Sequence, residues 1–84
     1  MMQGARSVAD VLAQQMAVYL GPHTARVAVK TFSQKALGRG PETLTVGDVP
    51  AVTRALRPML RTLVGRVTCE VIIEQINRDL EVKA

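Results

Sequence analysis

Four features of this sequence have residue types that could do chemistry: a lone histidine, a lone cysteine, a glycine-rich turn and a row of arginines. His23 follows Pro22 at what reads as a helix start, where an imidazole could contact an anion or take a proton. General-base work needs a partner that orients the ring, and no residue at suitable local spacing offers one, so an exposed first-turn residue is the plainer reading. Cys69 lies beside the Ile72, Ile73 and Ile76 stripe with Glu70 and Glu74 close by. Acidic neighbours raise a thiol pKa, which suits a small buried hydrophobe better than a nucleophile. One His and one Cys cannot supply a structural zinc tetrad within the chain, so no metal site or cofactor is expected. Gly38-Arg39-Gly40-Pro41 lacks the preceding strand and the Gly-Lys-Ser/Thr ending of a phosphate cradle, leaving turn chemistry.

Arg54, Arg57 and Arg61 are the strongest functional candidates. Their spacing by three and four places them on one face of a helix, and guanidinium forks match phosphates and carboxylates. They could form a partner- or anion-binding face, with an acidic protein surface as one occupant, or a solvated face opposite Leu56, Leu60 and Leu63. With Arg26 and Lys30 they could alternatively contact duplex DNA. No aromatic is interleaved among the arginines, which disfavours single-stranded nucleic acid.

The elements that must carry these residues are helical. Val8, Val11, Leu12, Met16, Tyr19 and Leu20 recur at helical spacing behind Ser7-Val8-Ala9-Asp10, which has capping-box form, giving a helix over 8–20. Gly21-Pro22 ends it and starts the next over 22–37, with Ala25, Ala28, Val29, Phe32 and Ala36 on one face. Residues 38–42 form a loop. Thr45-Val46-Gly47-Asp48 repeats the capping-box spacing and opens a helix over 46–57, but Pro50 would then lie past the first turn, which makes Asp48 the alternative cap of a helix that starts later. Pro58 falls within an apolar pattern that keeps its phase. An interior proline costs ~3 kcal/mol, so the reading breaks the chain there and continues with a long helix over 58–80. Val67, Val71, Ile72, Ile73, Ile76 and Leu80 make its apolar stripe so wide that one flank could pack on the core and the other meet a second copy. The alternative is that the three shorter helices wrap it completely. The sequence shows no internal repeat, and residues 1–6 read as a loose lead-in.

The fold class expected is therefore an all-α, compact four-helix array or bundle in a single domain over 1–84, and an oligomeric one. With 84 residues, no Trp and only Tyr19 and Phe32 as aromatics, the core must be aliphatic and the stability margin thin, a margin that self-association supplements. Residues 1–66 carry nine Lys/Arg against three acids, whereas residues 67–84 carry two against four. The single cysteine and the absence of a cationic, apolar leader suggest a reduced, cytoplasmic setting. No apolar run approaches the ~18 residues of a membrane span.

Val18-Tyr19-Leu20-Gly21-Pro22-His23-Thr24-Ala25, followed by a valine-rich helix, a loop and Leu44-Thr45-Val46-Gly47-Asp48-Val49, resembles small helical domains appended to bacterial signalling proteins, especially kinases. The resemblance covers about residues 18–60 and implies an accessory or interaction function in a signalling or assembly system. Residues 40–49 also look like the loop and helix entry of histone folds, a likeness that implies dimeric duplex-DNA binding, although a histone fold needs a longer central helix than 22–37. The function expected is a non-enzymatic protein-interaction and oligomerisation module, most simply a homodimer. A small, basic, histone-like DNA-binding protein is the alternative.

Overall fold

A computed structural model describes residues 7–81; the lead-in over 1–6 lies outside the described residues. Each helix begins and ends where local chemistry demands it. Ser7 is extended (φ −71°, ψ 162°), and its Oγ accepts the Asp10 N–H at 3.1 Å, satisfying a donor that the first turn would leave unpaired, while Asp10 suits the positive end of the helix. Helix α1 then runs Val8–Leu20 and stops at Gly21, whose φ of 86° is open to glycine and strained for other residues. Pro22 opens α2, Pro22–Leu37, which ends on the left-handed Gly38 (φ 67°, ψ 22°) with its N–H returned to the Gln34 carbonyl.

Two short 3₁₀ turns, Pro41–Thr43 and Val46–Asp48, cross to the second half of the molecule, and the buried Leu44 between them pins the loop to the core. The Asp48 carboxylate accepts the Thr45 N–H at 3.0 Å and meets Arg39 at 2.9 Å, fixing the approach to α3. Asp48 is the residue at the cap of α3, and Pro50 falls in the first turn, where its missing N–H costs nothing.

Helix α3 spans Val49–Val64 and α4 spans Arg66–Asp79, so the expected boundary at Pro58 is wrong. The chain passes helically through Pro58 and turns at Gly65 (φ 86°, ψ 164°). Pro58 is solvent-exposed, so water can replace the hydrogen bond that the Arg54 carbonyl loses, and the ring points away from the core. The backbone at Gly65, by contrast, is one that only glycine adopts freely. The last helix is thus 14 residues rather than the longest element.

Among the described residues there are four α-helices and no strand. Helix α1 packs chiefly on α2 and α4, and α3 on α2 and α4, closing a cycle around an aliphatic centre. Leu12 and Met16 from α1, Ala25 and Val29 from α2, Val52, Leu56 and Leu60 from α3, and Cys69, Ile72, Ile73 and Ile76 from α4 meet there, all at most 5% exposed. At roughly 25 cal/mol per Å² of apolar surface removed from water, this cluster is the main source of stability. Two details depart from the expected pattern. Tyr19 is 48% exposed, and Ser33 replaces Ala36 as the buried residue near the end of α2.

The packing also reveals an internal likeness that the sequence conceals. Both pairs of helices are joined by one glycine, Gly21 and Gly65, with φ 86° at each and ψ of 154° and 164°. At each corner the glycine N–H bonds back to the residue four earlier, Ala17 or Arg61, and its carbonyl accepts from the residue four later, Ala25 or Cys69. Five pairs of buried positions coincide when one corner is laid on the other: Leu12 on Leu56, Met16 on Leu60, Ala25 on Cys69, Ala28 on Ile72 and Val29 on Ile73. The fold is two helix–glycine–helix corners packed together. Side-chain identity is largely lost between them, because burial demands only an apolar residue at each position.

Candidate interaction surface

The arginine row sits on α3, but two of its members are already engaged. Arg57 forms an ion pair with Glu70 of α4, and Arg61 lies 3.8 Å from the same carboxylate. Tertiary packing brings Glu70 there because α4 folds back along α3 after Gly65. Exposed ion pairs contribute only ~0.2–1 kcal/mol, but here Glu70 offsets the local positive charge that a phosphate would seek. Arg54 is exposed and has no ion-pair partner among the described residues. Arg26 and Lys30 lie elsewhere, on α2, lining a shallow groove with Ala9, Asp10, Ala13, Val29 and Pro41. The cations expected to act together are thus divided between two helix pairs.

Cys69 is fully buried, with its Sγ 3.7 Å from the Arg57 carbonyl. Burial pushes its thiol pKa up, Glu70 adds to the effect, and Arg57 and Arg61 oppose it, so the sulfur is held as an unreactive thiol. His23 is exposed on the first turn of α2. Among the described residues no group of three His, Cys, Asp or Glu is placed to hold a metal ion, and no helix is long and apolar enough to cross a membrane.

The apolar stripe of α4 divides in two. Ile72, Ile73 and Ile76 are 1%, 5% and 0% exposed and belong to the protein's own core, so they are withdrawn as candidates for an oligomer interface. Leu80 packs partly buried at the edge of that core. The residues left outside are Val67 at 77% and Val71 at 42% exposure. One turn apart, they line a shallow groove with Arg66, Glu70 and Glu74. Leu63, at the end of α3, adds a third exposed aliphatic residue at 54%. The sequence pattern placed Leu63 in the core, since it is in phase with Leu56 and Leu60. It emerges because α3 ends one residue later and α4 departs in a new direction.

The α1–α2 corner has its own exposed set, Val18, Tyr19 and Val27 at 76%, 48% and 48%. Beside it, Arg26 borders a second shallow groove with Asp10, Ala13, Gln14, Ala17 and Pro22. Periodicity leaves Val18 and Val27 off the apolar faces of their helices, but it turns Tyr19 inward, on the face that Leu12 and Met16 define. No family model matches the chain, and no match is found among curated proteins or solved structures.

Proposed function

We propose that this chain is a non-enzymatic helical interaction module that associates with further copies of itself, and that the outer face of the α3–α4 corner is the contact. The observation that carries the reading is the exposure of Leu63, Val67 and Val71 at that corner, while the rest of the apolar pattern of α3 and α4 is buried or partly buried. Isolated exposed aliphatics are ordinary, but a cluster rimmed by charged side chains is the usual form of a protein contact. A chain this small has a thin stability margin, and burial against a second copy adds to it by mass action. The unreactive Cys69 is compatible with the reduced, cytoplasmic setting in which such a module would act as an accessory to a signalling or assembly system.

The test is the solution mass of the chain and of a Val67→Glu, Val71→Glu variant, by sedimentation or light scattering. The wild type should exceed the monomer mass, and the variant should fall to it while keeping its helical circular dichroism. An unchanged mass in a folded variant would remove this interface. A duplex-DNA mobility shift that weakens ~10³-fold or more between low and moderate salt would replace the reading with a nucleic-acid one.

A further inference from the structure

The two helix–glycine–helix corners present the same outer positions to solvent but dress them with opposite charge. Tyr19 corresponds to Leu63, 48% and 54% exposed, and Val27 corresponds to Val71, 48% and 42% exposed. Tyr19 and Leu63 stand near the ends of the helices before the glycines, Val27 and Val71 are the matching exposed aliphatics on the helices that follow, and exposed Val67 of α4 falls on exposed His23 of α2. The charged residues alongside correspond too: Arg26 of α2 occupies the position of Glu70 of α4, and Lys30 that of Glu74. All four are exposed.

We infer that self-association joins unlike faces, with the outer face of α2 in one copy seated on the outer face of α4 in the next. This inference rests on the proposed self-association and identifies the surface that completes it. Charge decides against the alternatives. Pairing α4 with α4 would set Glu70 and Glu74 against their own copies, and pairing α2 with α2 would do the same to Arg26 and Lys30. Pairing α2 with α4 sets Arg26 and Lys30 against Glu70 and Glu74, whichever way the helices run, since each charged pair sits centrally on its face. Like charges facing one another across a contact disfavour it, and complementary ones fix its register. Within its own chain Glu70 already meets Arg57 and Arg61, and Glu74 meets Arg78, but exposed pairs of this kind are weak enough to exchange partners across a contact; uncharged Pro22 and Gln34 occupy on α2 the places that Arg66 and Arg78 hold on α4. A contact between unlike faces leaves each copy with both faces to use, so it closes into a ring, or into a pair making the contact twice, or continues as a chain.

Lys30 and Glu74 are the residues to exchange. Lys30 makes no ion pair among the described residues, and the ion pair of Glu74 is with Arg78 on its own helix surface, so neither substitution disturbs the core. Lys30→Glu alone and Glu74→Lys alone should each weaken self-association about tenfold or more in low salt, read by sedimentation equilibrium. An equimolar mixture of the two variants should recover mass, because the unaltered α4 face of the Lys30→Glu variant still matches the unaltered α2 face of the Glu74→Lys variant, whichever way the helices run. If the wild type associates, Val67→Glu abolishes association, and neither charge reversal weakens it, the unlike-face contact is overturned while self-association through α4 stands. A wild type that stays monomeric throughout would overturn both. Lys30→Gln and Glu74→Gln, which remove charge without reversing it, provide the same comparison should either reversal fail to fold.

Discussion

Replacing Pro58 and Gly65 singly by alanine should change stability in opposite directions. Pro58 lies inside α3, where the ring removes the hydrogen bond to the Arg54 carbonyl. An interior proline costs ~3 kcal/mol relative to alanine, and ~0.4–1 kcal/mol of this is returned because proline restricts the unfolded chain. Exposure of the site lets water serve the freed carbonyl, which lowers the cost further. Pro58→Ala should therefore stabilise by ~1–2 kcal/mol. At Gly65 an added Cβ meets nothing within 4 Å, so the whole effect comes from the backbone. With φ 86° and ψ 164°, that conformation costs a non-glycine residue ~1–3 kcal/mol, less the unfolded-state gain of alanine, for a net loss of ~1–2 kcal/mol. In a chain of this length each kcal/mol moves Tm by ~4–8 °C, so thermal unfolding followed by far-UV circular dichroism separates the two variants easily. A helix break at Pro58 predicts the reverse. Pro58→Ala would then gain no hydrogen bond and lose the unfolded-state restriction, whereas Gly65→Ala would remove a glycine from a helix interior and stabilise by ~1 kcal/mol. Observing that reversed pair of signs would refute the assignment of the α3–α4 corner to Gly65.

Two further predictions concern polar groups. The Ser33 Oγ is buried without a hydrogen-bond partner among the described residues, so Ser33→Ala should stabilise by ~1 kcal/mol in urea titration by removing an unsatisfied hydroxyl, and clear destabilisation would mean that the hydroxyl has a partner. The Thr45 N–H, followed by Arg39 and the Thr45 hydroxyl, holds the Asp48 carboxyl below its ordinary 3.8 against the opposing effect of burial. A lowered folded-state pKa means that the unfolded chain binds more protons, so this stabilisation is complete above 3.8 and is lost as pH falls through the folded value. Asp48→Asn should flatten the acid limb of the stability–pH curve, and an acid limb identical to that of the wild type would discount the Asp48 contacts.

Much of the fold is legible in the sequence because its signals are local. Ser7 with Asp10, Gly21 with Pro22, Gly38, and Asp48 with Pro50 each act on backbone groups within one turn, and the structure places helix ends at these positions. The all-helical class follows from apolar spacing, which depends only on the pitch of the helix. Pro58 misled because its cost depends on whether its carbonyl partner faces water, and that is set by what packs on the other side of α3. Gly65, flanked by apolar residues in phase, carries no comparable mark.

The candidate surface was less legible for the same reason. Periodicity groups Val67, Val71, Ile72, Ile73 and Ile76 as one apolar stripe, but only the seat of α4 against α1 and α3 separates the three isoleucines inside from the two valines outside. The arginine row reads as free cationic charge until Glu70, 13 residues beyond Arg57, is brought against it. By itself the sequence determined that four amphipathic helices form, where the first two begin, and that their core is aliphatic. Tertiary structure alone decided which apolar residues remain in water, which charges are offset and that two dissimilar halves share one corner, because each of these depends on neighbours distant along the chain.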